Sequence, residues 1–381
     1  MTSRQNVVIV GGGGAGSAIA RSLSSTLDPT KYHLIVITAR SYFLHLVGSV
    51  RAAVTPEGNF PEQVAISLDK LFVNSNGKIV HGEVTAISDD GTSGGYVTLV
   101  SGEEVPYLIL VLAPGRHWDG PLAAPNTSPE LNAWFNQWHS RFEKAKDILL
   151  VGGGAVGIGA YKQDVAIVHG GEYLLNDAYP VKYRKDIERH LRLRGVEVIL
   201  GDIVPDKAEV GNVITRNGKR LSPDLIVSRL PMPRVLTFTI FRTQVSCRGP
   251  RPNNAFIKSS LGSQVLSSNG FVSVLPTFQI PGYGRIFAAG DIADLEEQKQ
   301  LGKYITHSNI ITANIQAIVN GQQTTKTHTL SRELIVITIG KNGGASYFGI
   351  LWCLMFGNWI SSLVKSRNLL VSRMRKALGH D

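Results

Sequence analysis

The stretch Val7-Val8-Ile9-Val10-Gly11-Gly12-Gly13-Gly14-Ala15-Gly16 constrains this chain more than any other. Its four β-branched aliphatics suit a parallel strand buried on both faces. The turn that follows needs Gly11 for a tight bend, Gly13 for backbone approach to a pyrophosphate and Gly16 for close packing of helix on strand, with Gly12 and Gly14 in the same phosphate-facing turn. Alone, such a motif is short enough to arise without function. A second copy begins 141 residues later as Ile148-Leu149-Leu150-Val151-Gly152-Gly153-Gly154-Ala155-Val156-Gly157, with Gly152, Gly154 and Gly157 at the same spacing. Two strand, glycine turn and helix units imply two dinucleotides bound by one chain.

The 381 residues suffice for two or three domains, and 43% apolar content with 40 glycines fits a soluble α/β protein. Cys247 and Cys353 form no Cys-x-x-Cys pair, which argues against a dithiol active site and a disulfide scaffold. Met1-Thr2-Ser3-Arg4 lacks an apolar signal core, and Thr2 stands where myristoylation needs glycine, so a reducing, cytosolic compartment is expected. The net charge of +10 is uneven: between Asp224 and Asp291 there are seven basic residues and no acid, and between Glu333 and Asp381 six basic residues and no acid. Such stretches suit cofactor phosphates, anionic lipid or nucleic acid, and equally a solvated basic face. No nucleic-acid-binding motif accompanies the charge, which makes nucleic acid the weaker partner.

In chain order, a helix is expected over Ser17 to Leu27 and a strand over His33 to Ile37. Where a dinucleotide fold usually places a ribose-binding acid stands Thr38-Ala39-Arg40, and Arg40 suits either a phosphate or the surface. Ser41 to Pro56 reads as loop or helix, Lys78 to Ile87 and Tyr96 to Val100 as paired strands, and Tyr107 to Leu112 as a buried strand. A helix over Ser128 to Lys146 leads to the second glycine turn. There the crossover to the next strand has only 13 residues, against 22 in the first copy. Covering a strand takes about three helical turns, so much of that helix is expected to be missing. Helices follow over Pro180 to Leu193 and Lys303 to Val319, with core strands at Val196 to Leu200, Phe271 to Val274 and Arg285 to Ala289. The aromatic run Tyr347 to Trp359 is too short to span a membrane. Trp352, Phe356, Trp359 and Leu363 recur at helical spacing, which predicts an amphipathic helix suited to a membrane interface, to its own domain or to a second subunit.

Two dinucleotide units and the strand-terminal Gly290-Asp291 describe a two-cofactor flavoprotein. FAD would place its pyrophosphate over the Gly11 turn and its ribityl chain on Asp291, and NADH or NADPH would lie over Gly152, Gly154 and Gly157. The cofactors carry the redox chemistry, so no catalytic acid, nucleophile or metal cluster is required and none stands out; the ten histidines are scattered, and His81, His117 and His169 read as structural or exposed rather than as ligands.

The chain resembles the apoptosis-inducing-factor-like flavoproteins, close to the ferroptosis-suppressor branch and its fungal relatives. The resemblance rests on Val10 to Gly16, Ser41 to His45, Val50-Arg51-Ala52, Gly82-Glu83-Val84, Val151 to Gly157, Gly249 to Asn253, Ala289 to Asp294 and Lys365 to Val371. It implies FAD binding at the first glycine turn, Arg51, the backbone of Val84 and Asp291. It further implies NAD(P)H oxidation with reduction of a quinone or similar acceptor at a membrane surface, with a C-terminal region that closes over the flavin and approaches lipid. The implied fold is α/β, with two Rossmann-like dinucleotide-binding domains of the pyridine nucleotide-disulfide oxidoreductase type and a small C-terminal α+β region. Residues 1–118 with 250–325 would form the FAD domain, 119–249 the NAD(P)H domain and 326–381 the C-terminal region.

Three departures stand out. The helix and acid that usually follow the second glycine turn are missing, Ser228 to Cys247 reads as an insertion, and Pro114 replaces a threonine of an Ala-Thr-Gly turn. Both length changes fit a mis-assembled gene model, an idea that a transcript encoding these same residues would overturn. The alternative function is a flavin-binding protein with an impaired nicotinamide site, serving membrane or nucleic-acid association without turnover.

Overall fold

The computed structural model describes residues 4–155, 158, 165–205, 208–228, 244–246, 251–330, 332–349 and 354–380. The chain enters through β1 (Gln5–Val10), crosses by α1 (Gly14–Thr26) to β2 (Tyr32–Thr38), passes α2 (Leu46–Val54) and adds β3 (Lys78–His81). An antiparallel meander of β4 (Val84–Asp89), β5 (Gly95–Leu99) and β6 (Glu104–Tyr107) precedes β7 (Ile109–Leu112). Next, α3 (Ser128–Lys144) leads to β8 (Ile148–Val151), β9 (Val165–His169), α4 (Val181–Arg192), β10 (Glu197–Leu200), β11 (Leu225–Ser228) and β12 (Gln244–Ser246). The chain then returns through β13 (Gln279–Ile280), β14 (Tyr283–Ala288) and α5 (Tyr304–Val319). It finishes with β15 (Leu334–Thr338), β16 (Gly344–Phe348), β17 (Leu354–Phe356) and α6 (Val371–Ala377).

Two large sheets result among the described residues, beside smaller antiparallel ones. The first has the order β13-β14-β7-β1-β2-β3 and is parallel except for β13 at its edge. The second, β10-β9-β8-β11-β12, is parallel throughout. The β-branched run of β1 explains its central place, because its alternating side chains enter different cores. Val7 and Ile9 pack with Ile19 and Leu23 of α1 and Ile311 and Ile315 of α5, whereas Val8 and Val10 face Val97 and Leu99 of the meander. In α3, Leu131, Phe135, Trp138 and Phe142 recur at spacings of four, three and four and are all buried. Truncating such a phenylalanine to alanine costs about 3–5 kcal/mol.

Several expectations are corrected. The segment Lys78 to Ile87 is two strands: β3 extends the parallel sheet beside β2, while β4 turns into the meander. Tyr107 and Ile109 likewise belong to different strands, since β6 pairs with β5 and β7 with β1. Phe271 to Val274 forms only isolated bridges, through Val272 to Leu266 and Ala293. The run from Tyr347 is no amphipathic helix: β16 and β17 form an antiparallel pair, with Phe348 against Phe356 at 5.8 Å, and a helical turn begins only at Asn358. A run rich in aromatic residues satisfies strand pairing as well as helical spacing, and here cross-strand pairing won. Trp352 lies outside the described residues, as do Cys247, Cys353, Gly157 and residues 229–243 of the expected insertion.

Candidate functional site

The parallel strands β1, β2, β7 and β14 all end at one edge of the first sheet. From the centre, β1 continues to β2 on one side and β7 lies on the other, which makes the β1–β7 gap the crevice where this topology takes ligands. The first glycine turn fills that gap. Gly11 has φ +112°, and a Cβ there would stand 2.1 Å from the carbonyl oxygen of Ala113 at the end of β7. A Cβ on Gly16 would stand 1.8 Å from Gly11 O, so α1 leaves the strand at the closest possible approach. A Cβ on Gly14 would strike Leu301 and Tyr304 at 2.6 and 2.9 Å, and one on Gly12 would sit 3.0 Å from Thr38 Oγ1. At Gly13, the residue capping α1, a Cβ would meet no described atom within 4 Å. The first turn of this 13-residue helix carries no acid. The positive end of α1 therefore lies at an open side of the turn and carries no competing acid, as an anionic pyrophosphate requires.

Asp291 follows β14 at the same edge. Its Oδ1 accepts a hydrogen bond from the Tyr304 hydroxyl, and its Oδ2 lies 3.8 Å from Arg116 Nε, which also donates to the Asp291 carbonyl at 3.3 Å. Arg116 lies over the Phe271 ring at 4.7 Å and is held by a short antiparallel pairing of Arg116–His117 with Arg251–Pro252, so the described end of the motif, from Arg251, positions this arginine. Lys299 approaches the same ring at 5.8 Å and donates to Ala293 O at 2.7 Å; burial, then Arg116, pushes its amine down to about 8. Burial, then Asp291, raises the Tyr304 hydroxyl far above its ordinary range, so it stays protonated and donating. Arg116, Lys299 and Tyr304 were missed by sequence reasoning, although Arg116 and Asp291 share a signal: each follows the last residues of a core strand.

The structure gathers only part of the expected set here. Val84 opens β4, buried and paired to Leu99. Arg51 points from α2 to the C-terminal region, donating to Gly340 O at 2.9 Å and to Ser366 O, and burial lowers its pKa. His45 binds Leu369 O at 2.7 Å, and Lys365 donates to Val336 O at 2.8 Å. Burial, then Arg51, pushes the Lys365 amine down to about 8. These contacts bind the Lys365 to Val371 motif to α2. Arg40 donates to Ala124 O at 3.3 Å, and burial lowers its pKa.

The second turn repeats the backbone of the first. Gly152 has φ +112°, and its N–H donates to Val168 O at 2.9 Å, as Gly11 does to Ile37 O at 2.8 Å. His169 occupies the strand position equivalent to Thr38 and accepts from the Gly153 N–H at 3.2 Å. Among described atoms, a Cβ on Gly152 or Gly154 would meet nothing within 4 Å. The described part of this turn has the backbone a second pyrophosphate needs.

Away from both turns, the histidines are less scattered than expected. His307 of α5 and His328 converge on Glu297 in a buried cluster. Their 21-residue separation matches no metal-binding spacing, which hid the cluster from sequence reasoning.

This architecture is a two-dinucleotide flavoprotein fold, and comparison with known proteins agrees. Residues 5–325 match the family described as pyridine nucleotide-disulphide oxidoreductase. The chain is 37% identical over 336 residues to the FAD-dependent oxidoreductase FVFD30 of Flammulina velutipes, covering 86% of this chain and 98% of that protein. It is 28% identical over 385 residues to ferroptosis suppressor protein 1 of Taeniopygia guttata, covering 98% and 95%. The fold matches the sulfide:quinone oxidoreductase of Aquifex aeolicus with a TM-score of 0.69 at 18% identity, over 98% of this chain and 94% of that one. The chain belongs to the pyridine nucleotide-disulphide oxidoreductase family and, within it, to the apoptosis-inducing-factor-like, ferroptosis-suppressor-type branch. It is an oxidoreductase, with FAD and NAD(P)H as the cofactors of its family.

Proposed function

We propose that this chain takes hydride from NADH or NADPH and delivers the electrons to a quinone or a similar small acceptor. The observation that carries this reading is the meeting, at one sheet edge, of the walled Gly11 turn with Asp291, Tyr304 and Arg116. When bound, FAD supplies two-electron chemistry between the nicotinamide and the acceptor, so that one hydride and one solvent proton convert a quinone to its quinol. The residues do the placing. Gly11 to Gly16 would hold the pyrophosphate, Asp291 would accept from the ribityl hydroxyls while Tyr304 and Arg116 fix its carboxylate, and Gly152, Gly154 and Gly157 would hold the second nucleotide. The Arg51 contacts would seat the C-terminal region beside the flavin, and the backbone of Val84 would contribute on the adenosine side. The quinone assignment is supported by the fold shared with the sulfide:quinone oxidoreductase of Aquifex aeolicus and by the family resemblance.

Peripheral membrane contact is part of the reading. Among the described residues no helix is long and apolar enough to cross a membrane. Leu354, Trp359, Leu363 and Val364 are exposed on the C-terminal region, Trp359 by 75%, with exposed Arg367 nearby. That combination suits an interface with anionic lipid. The deciding experiment is anaerobic addition of NADH, then NADPH, to the yellow protein: bound FAD should bleach and recover on quinone addition. A protein that never takes up FAD would end this reading. The 13-residue second crossover favours one other reading, flavin binding without turnover, for which FAD absorbance would be indifferent to both nucleotides.

A further inference from the structure

We propose that Glu297, His307 and His328 form a binding site for one divalent metal ion of the zinc class, set behind the α5 end of the flavin crevice. All three side chains are buried, at 2%, 1% and 7% exposure, and one donor atom from each lies within 4.8 Å of the others. Glu297 Oε1 is 2.8 Å from His307 Nε2, and Glu297 Oε2 is 3.5 Å from His328 Nε2. Zinc holds nitrogen and carboxylate oxygen at about 2.0–2.2 Å, which places two donors on one ion roughly 3–3.5 Å apart. The His328 separation falls in that span, and the 2.8 Å of the His307 pair is the hydrogen-bonded distance, which a bound ion would open slightly. Two imidazoles and a carboxylate are also the donor set that first-row divalent ions prefer, with water completing the shell.

A plain hydrogen-bonded cluster accounts for only half of the arrangement. It explains His307, whose Nε2 pairs with Glu297, but not His328, neither of whose nitrogens has a hydrogen bond among the described residues. A buried imidazole without a hydrogen bond is costly, and this one is not left there by a loose loop. The His328 N–H donates to Pro276 O at 2.7 Å, and the Lys326 N–H donates to Asn314 Oδ1 of α5 at 3.0 Å. Phe278 lies against both rings, with centroids 4.8 Å from His307 and 5.5 Å from His328, and the imidazoles meet edge-on at 5.2 Å. Lys303 is the local competitor for the carboxylate, at 3.4 Å from Glu297 Oε2, but its nearer partner is Glu333 at 2.6 Å. A hydrogen-bonded cluster uses the nitrogen of one ring and leaves those of His328 unbonded, whereas a metal ion uses both rings.

The test uses the full chain with FAD bound, dialysed against a chelator and then titrated with Zn2+ against a chromogenic indicator and, separately, with Co2+. Expected are one zinc per chain and a cobalt difference spectrum with the visible bands of a low-coordinate site, which zinc then abolishes. His328→Ala and Glu297→Gln should each weaken uptake about tenfold or more while flavin absorbance is retained. If Glu297→Gln fails to fold, His328→Ala decides, because His328 lies outside the residues assigned to either nucleotide. Wild-type protein that takes up neither ion overturns the proposal, and so does a His328→Ala variant that binds as the wild type does. Either result is read without turnover, so it is independent of the hydride-transfer assignment.

Discussion

Gly11 and Gly152 have the same backbone torsion and the same amide hydrogen bond to the neighbouring strand, yet their surroundings differ. Gly11 is walled by the Ala113 carbonyl, with Tyr304, Leu301 and Asp291 closing the crevice around its turn. At Gly152 the residue in the place of Ala113 is Arg229, outside the described residues, and His169 stands beside this turn where Thr38 stands beside the first. The glycine motif therefore specifies a bend and a set of N–H groups, while the neighbouring strands and helices decide how tightly a nucleotide is gripped. Among the described residues the first turn shows that second layer, and its helix runs 13 residues.

The largest effect should come from Gly11→Ala. The new methyl group meets backbone that cannot give way, on top of a torsion that disfavours any side chain, so we expect about 4 kcal/mol or more of destabilisation and loss of bound FAD. Urea denaturation together with the flavin-to-protein ratio measures both. Retention of FAD at wild-type stability would show that the wall does not define the site.

A second prediction concerns the C-terminal region, which grips the two units differently. It meets the first through Arg51 and His45, and the second through the Tyr183 hydroxyl on Ala345 O at 2.8 Å. On the first side sits Lys365, whose amine falls from 10.5 to about 8. Because the folded value is the lower one, the unfolded chain binds the extra proton between about pH 8 and 10.5, and stability should rise with pH across that window by about 2 kcal/mol. Lys365→Met should remove this rise, as denaturation midpoints at pH 7.5 and 10 in the two proteins would show. Parallel pH profiles would place the amine in water. Asp291→Asn comes next. It keeps the shape but removes the charge that faces Arg116 and the hydroxyl groups expected of the ribityl chain, so FAD should bind about tenfold more weakly, roughly 1.4 kcal/mol. Unchanged FAD affinity would move the cofactor away from that carboxylate.

How much of this was legible depends on how local the signal was. The two parallel sheets could be read because β-branched runs ending in glycine carry their own explanation, as at Val7 to Gly16 and Ile148 to Gly154. Asp291 could be read from its place after an apolar strand. Its partner Arg116 could not, because 175 residues separate them and only the closing of β7 against β14 brings them together. His307 and His328 were invisible for a similar reason, since the fold and not their spacing joins them. The tail misled because the aromatic residues of Tyr347 to Trp359 satisfy the helical period while the backbone pairs as a hairpin.

An effect as small as that of Asp291→Asn is expected of Gly152→Ala, which tests the comparison most directly. This substitution imposes the same torsional strain as Gly11→Ala, about 1–2 kcal/mol, and the new methyl group meets no described atom within 4 Å. Subtracting one destabilisation from the other compares the Ala113 wall with whatever stands beside Gly152, because the two positions share φ and hydrogen bonding. The functional readout separates further: Gly152→Ala should leave FAD content unchanged and weaken only the bleaching by NADH or NADPH. If the variant loses FAD as readily as Gly11→Ala does, the two turns are not independent and the contrast between them fails. If it bleaches as fast as the wild type, Gly152 does not approach a nucleotide, and the second turn is a structural copy whose binding role has lapsed.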